Sequence, residues 1–222
     1  MGIEYDFISK LKSRKQFRAL VHDSDIYENF LMDILNNSNL FNRLEHIPKD
    51  KQNDGEDDFK ELNEKGKIIK TYEATLLTSS KIVKSIIYNN GIPKEYIDFI
   101  RSEIVKAYIE RLNKKKKKEN IIIFNIYPIK ENKNRESVFE IILNANDMWV
   151  RNYKKFSRKN KNNKIKNLYI VSLNTNYISK NNFYVKQVLN EGKIVNKIDF
   201  VDKFDLEKLP FQSYNENINI RK

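Results

Sequence analysis

Between Ile26 and Leu35, apolar residues return at helical spacing. Ile26, Phe30, Leu31, Ile34 and Leu35 share one face, which predicts an amphipathic helix. Ser24 or Asp25 caps it and the polar residues 36–39 end it. Glu28 stands at the margin of the apolar face, one turn before Leu31. Upstream, residues 3–20 form a basic, mildly amphipathic segment (Phe7, Ile8, Leu11, Phe17, Leu20), read as an earlier helix. Downstream, residues 41–47 read as a strand stopped by Pro48, and residues 49–56 as a polar loop. Residues 59–62 and 67–77 then read as two strands of a hairpin. Gly66 takes the left-handed position in the turn between them.

The second half alternates helical and buried-strand patterns. Thr78 or Ser79 opens a helix carrying Ile82, Val83, Ile86 and Ile87, and Asn89-Asn90-Gly91 closes it. Pro93 opens another, with Ile97, Ile100, Ile104, Tyr108 and Leu112 along its stripe. Residues 121–127 form a short apolar, β-branched run, the mark of a strand covered on both faces. Residues 136–158 read as a long helix, residues 168–173 as a second buried strand, and residues 183–189 with 193–200 as a late hairpin around Glu191-Gly192. This order predicts an α/β fold, a central mixed sheet flanked by helices. A single domain over residues 1–211 is expected. It comprises a basic N-terminal helical segment (1–23), a core (24–175) and the late hairpin (183–200), followed by a polar tail (212–222).

Composition removes several kinds of chemistry. The 222 residues include no cysteine, so disulfides, thiolate zinc sites and cysteine nucleophiles are excluded. With only His22 and His46, histidine-rich sites are disfavoured, which leaves carboxylates, lysines and hydroxyls. A formal charge of +12 suits a polyanionic partner, since lysine and arginine gain affinity by releasing counterions from phosphate. An AT-rich genome, which favours Lys, Asn and Ile together, is a competing source of that charge. The N-terminus has no apolar signal core, and the apolar run from Ile121 is broken by Asn125 and Pro128. A cytoplasmic protein with no membrane association is therefore expected.

The chemistry concentrates between Asp57 and Leu77. On the second strand Thr71, Glu73 and Thr75 share a face. Hairpin pairing through Gly66 would bring Asp57 or Asp58 beside Glu73. Converging carboxylates suit Mg2+ (or Mn2+), which takes hard oxygen ligands.

Asp57-Asp58-Phe59, the hairpin, Tyr72-Glu73-Ala74-Thr75-Leu76-Leu77 and the helix after them resemble the PD-(D/E)xK nuclease superfamily, the restriction-endonuclease-like fold. The resemblance spans the core from Ile26 to about Leu173. It implies metal ligation by Asp58 and Glu73, with Asp57 in the place of the usual proline, and by Glu28 on the first core helix. It also implies Mg2+-dependent cleavage of DNA, in restriction or defence, and raises a homodimer as the assembly. Thr75 stands where the family's lysine would be. A hydroxyl carries no positive charge, so cleavage is expected to be weakened or lost and to be restored by Thr75→Lys. Lys81 or Lys84, on the next helix, would replace that lysine if it has migrated. Lys70 is the poorer replacement, because alternation turns it away from Glu73.

Two basic stretches complete the picture. Lys154, Lys155, Arg158, Lys159 and Lys161, with Lys164 and Lys166, precede one buried strand, and Lys114 to Lys118 precede the other. If they share a rim they would meet a phosphate backbone; otherwise they are solvated loops. No base-reading motif accompanies them. Trp149, Tyr153 and Phe156 read as core, with stacking on bases as the alternative. The alternative function is a non-catalytic nucleic-acid-binding or protein-interaction module on the same fold.

Overall fold

Among the described residues, seven strands form one mixed sheet whose spatial order equals their order in the chain. A computed structural model describes residues 24–53, 55–77, 97–125, 146–173 and 181–202. The elements are α1 (Ser24–Asn36), β1 (Arg43–His46), a single 3-10 turn (Lys49–Lys51), β2 (Phe59–Leu62) and β3 (Ile68–Leu76). Then come α2 (Ile97–Lys115), β4 (Asn120–Asn125), α3 (Asn146–Lys159), β5 (Asn167–Leu173), β6 (Asn181–Asn190) and β7 (Lys193–Asp202). Strands β1 to β3 pair antiparallel, β3 to β5 parallel, and β5 to β7 antiparallel. The fold is thus α/β, a central mixed sheet flanked by helices, as the pattern predicts.

Alternation along the central strands sorts side chains onto two faces. Tyr72, Ala74 and Leu76 of β3, with Ile122, Phe124, Tyr169 and Val171, join the apolar stripe of α1. Phe30, Leu31, Ile34 and Leu35 on that stripe are 0–2 % exposed. Burial of each such side chain is worth about 1.5–3 kcal/mol, enough to seat the helix without help from its polar face. On the other side Leu77, Ile121, Ile123, Leu168 and Ile170 pack against α2 and α3 through Tyr108, Leu112, Trp149, Tyr153 and Phe156. Trp149, Tyr153 and Phe156 are buried, so they are core residues rather than a stacking surface.

Some predicted boundaries move for local reasons. Strand β1 starts at Arg43 because the Asn42 N–H donates to Glu61 Oε1 (2.9 Å). Helix α2 runs past Leu112 and takes Lys114 and Lys115 into its last turn, where cations favour the helix dipole. Helix α3 extends one residue past the expected Arg158, so Lys154, Lys155, Arg158 and Lys159 all lie on it. Glu191 and Gly192 both have positive φ (48° and 76°), the backbone of a tight two-residue hairpin turn.

Parallel strands need a pin to fix their stagger, and asparagines provide one. Asn120 Nδ2 donates to Thr71 O (2.8 Å), Asn167 Nδ2 to Asn120 Oδ1 (2.8 Å), and Glu191 N to Asn167 Oδ1 (3.1 Å). This ladder sets the start of β4 beside the middle of β3, the relation on which the site depends. The helices expected over residues 3–20 and 78–90, residues 93–96 and 136–145 of two others, and the tail lie outside the described residues. No helix among the described residues is long and apolar enough to cross a membrane.

Candidate active site

The pairing of β2 with β3 ends where the acids stand. The register ends with Phe59 facing Tyr72, and Asp58 is the next residue beyond it. The Asp58 N–H still donates to Tyr72 O (2.9 Å), after which the chain leaves the ladder. Asp58 Oδ2 accepts the Ala74 N–H (2.7 Å). The aspartate therefore caps β3 and is only 3 % exposed. Asp57 takes a different course, accepting from Thr71 Oγ1 (2.5 Å) and from Lys118 Nζ (2.8 Å).

Glu28 arrives from α1, 1 % exposed, and is held from two sides. His46, at the end of β1, places Nε2 2.9 Å from Glu28 Oε2. Lys49, on the 3-10 turn, places Nζ 3.3 Å from Glu28 Oε1 and also donates to Asp58 Oδ1. Tyr27 senses the gathering of acids: burial pushes its hydroxyl pKa far up, and the charges of Glu28, Asp58 and Glu73 raise it further. The three acids that the sequence singles out thus lie near one another, on α1, at the start of β2 and on β3.

Lysines meet Glu73 from an element that the sequence does not suggest. Lys115, at the end of α2, binds Glu73 Oε1, and Lys118, just before β4, lies 3.0 Å from Oε2. Lys118 also donates to Gly55 O (2.8 Å), tying the loop before β2 to the site. Burial alone would lower the Lys118 pKa, but its contacts with Asp57 and Glu73 outweigh burial and hold it above the ordinary lysine value. Lys49 behaves alike: burial lowers it, and Asp58 with Glu28 raise it by more.

Thr75 points to the same face as Glu73, since they pair with Ile123 and Ile121, and it is 6 % exposed. It supplies no charge, and Lys115 and Lys118 place two ammonium groups on its neighbour. Lys81 and Lys84 lie outside the described residues, and Lys70 pairs instead with Glu191 (2.7 Å). Lys115 and Lys118 belong to the run that the sequence reads as a phosphate-contacting or a solvated loop. Their signal was positional: a parallel crossover from β3 returns the chain beside β3 at the start of β4.

Among the described residues no group of three or more His, Asp or Glu is arranged as a ready-made metal cluster. What is present is a shared cation position. Glu28 Oε1 and Asp58 Oδ1 converge on one ammonium, that of Lys49. Two carboxylate oxygens around one positive centre are hard donors of the kind a divalent cation takes, and Glu73 is held separately by Lys115 and Lys118.

The basic stretches lie side by side on the same rim. Lys164 N donates to Lys116 O (2.8 Å) and Lys166 N to Glu119 O (2.7 Å), joining the loop after α3 to the loop after α2. Lys154, Lys155, Arg158, Lys159 and Lys161 are exposed. Lys166 pairs with Glu119 (2.9 Å). The loop after α3 thus lies beside the loop that carries Lys118.

No family model, curated protein or solved structure matches the chain.

Proposed function

We propose that this protein is a Mg2+- or Mn2+-dependent endonuclease acting on DNA phosphodiesters, with Lys115 and Lys118 in the role that Thr75 cannot fill. One observation carries the reading: three buried carboxylates, from α1, from the residue before β2 and from β3, are each paired with lysine, Glu28 and Asp58 sharing Lys49 and Glu73 taking Lys115 and Lys118. Burying a charge costs several kcal/mol even when it is paired, and a fold gains little from gathering so many at one point. Ionisable groups concentrated in this way are the mark of a working site.

In this reading Glu28 and Asp58 hold the cation and Glu73 orients what lies between it and the lysines. A bound Mg2+ or Mn2+ polarises phosphate oxygens and lowers the pKa of water. Lys118 and Lys115 donate hydrogen bonds and positive charge toward a phosphate whose negative charge grows during attack. The exposed cations of α3 and the loop after it hold the backbone leading to the site, independently of base sequence. A role in restriction or defence, and a homodimer as the assembly, follow from the resemblance to the PD-(D/E)xK nucleases.

A second reading has an observation of its own. Every carboxylate oxygen of Glu28, Asp58 and Glu73 already receives an N–H donor, so the acids are compensated without a metal. That arrangement suits a non-catalytic DNA-binding or protein-interaction module. Incubation of the full chain with supercoiled plasmid and Mg2+ or Mn2+ separates the two. The nuclease reading expects open-circular or linear DNA that disappears with EDTA, and the module expects binding without conversion.

A further inference from the structure

The Lys49 ammonium occupies the point where Glu28 and Asp58 converge, and it arrives there from solvent. Its side chain is 39 % exposed, against 1 % for Glu28 and 4 % for Asp58. The 3-10 turn that carries it contains no buried residue. That turn is held mainly by local bonds, Lys51 N to Pro48 O (2.9 Å) and Gln52 N to Lys49 O (3.4 Å). A long, flexible side chain on an exposed turn therefore covers two carboxylates fixed in the core, one by His46 and the other by the Ala74 N–H.

We propose that Lys49 is a displaceable plug of the cation position, competing with a divalent metal for Glu28 and Asp58 and leaving the pocket when the metal enters. The proposal rests on the metal-site reading above and adds its regulation. Two cations cannot share one position between Glu28 Oε1 and Asp58 Oδ1, so occupancy by one excludes the other. In the metal-free protein Lys49 offsets one of the two negative charges and weakens their mutual repulsion. In exchange it lowers apparent metal affinity by the fraction of molecules in which the plug is out. Lys115 and Lys118 do not share this role, because they hold Glu73 and Asp57 instead.

The test has two arms on the full-length chain. Calorimetric titration with Mn2+ compares the wild type with Lys49→Gln, which keeps a polar side chain and removes the charge. The plug predicts that the Mn2+ dissociation constant of Lys49→Gln falls at least about tenfold. The second arm uses the wild type alone, so it stands even if the variant fails to fold. Amine acetylation read by mass spectrometry should speed up at Lys49 on saturation with Mn2+ and stay constant at Lys60, which pairs with Glu45 (3.0 Å). Mn2+ binding that is equal or weaker in Lys49→Gln, or Lys49 labelling unchanged by bound Mn2+, overturns the plug and leaves the metal site standing. No Mn2+ binding by either protein overturns both.

Discussion

Lys118 Nζ lies 3.0 Å from Glu73 Oε2, a contact made across two strands and a helix crossover. It places a full positive charge on the acid whose own strand offers only Thr75 nearby. Removing it should therefore be costly to catalysis. Lys118→Ala and Lys115→Ala are each expected to lower Mg2+-dependent cleavage about a hundredfold to a thousandfold. DNA binding should change far less. Single-turnover cleavage alongside a binding isotherm checks this, and a parallel loss in both would assign the lysines to binding.

Thr75→Lys reverses its expected effect once the neighbours of Glu73 are known. The sequence alone predicts a gain of cleavage. In the fold the new ammonium would lie on the buried face that already receives Lys115 and Lys118. A buried cation without its own acid destabilises by several kcal/mol. The expected outcome is a lower melting temperature and no gain in nicking, measured by thermal unfolding and the plasmid assay.

The exposed cations of α3 set the salt dependence of binding. Replacing Lys154, Lys155, Arg158 and Lys159 by glutamine should weaken affinity for unrelated DNA sequences alike. The slope of log K against log salt should fall by up to about 3.6 if each contacts one phosphate of the duplex. Fluorescence anisotropy across a salt series reads the slope, and a sequence-dependent loss would point to base contacts instead.

The lysine pairs also predict alkaline behaviour. Lys49 and Lys118 have folded-state pKa values above the ordinary 10.5. Their contribution to stability is therefore fully present below 10.5 and is lost as pH rises through the folded values. Both groups are partly solvated, so the effect is modest. Melting temperature should be level in this respect through neutral pH and fall above that point. The gap between the wild type and Lys118→Gln should narrow over the same range.

Much of this fold was legible because its signals are local. The stripe of α1, the apolar runs of β4 and β5 and the Glu191-Gly192 turn each follow from a few neighbouring residues. Asp58 and Glu73 were legible together because one hairpin joins them. Lys115 and Lys118 were not, since their approach depends on the parallel stagger Glu73 to Ile121 and on where α2 ends. His46 and Lys49 were obscure for a related reason: a strand end and an exposed turn acquire meaning only when α1 packs across them. Glu28 stands only at the margin of the apolar stripe in the sequence, yet it is buried against both.

Glu73, held between Lys115 and Lys118, is proposed to work with Glu28 and Asp58 in cutting DNA. The most direct measurement is Mn2+-dependent nicking of supercoiled plasmid by the wild type and by Glu73→Gln, with DNA affinity and melting temperature measured on both. Nicking by the wild type is expected, with a loss of at least about a hundredfold in Glu73→Gln and affinity retained. Absence of nicking by a folded, DNA-binding wild type, or equal nicking by both proteins, would contradict it.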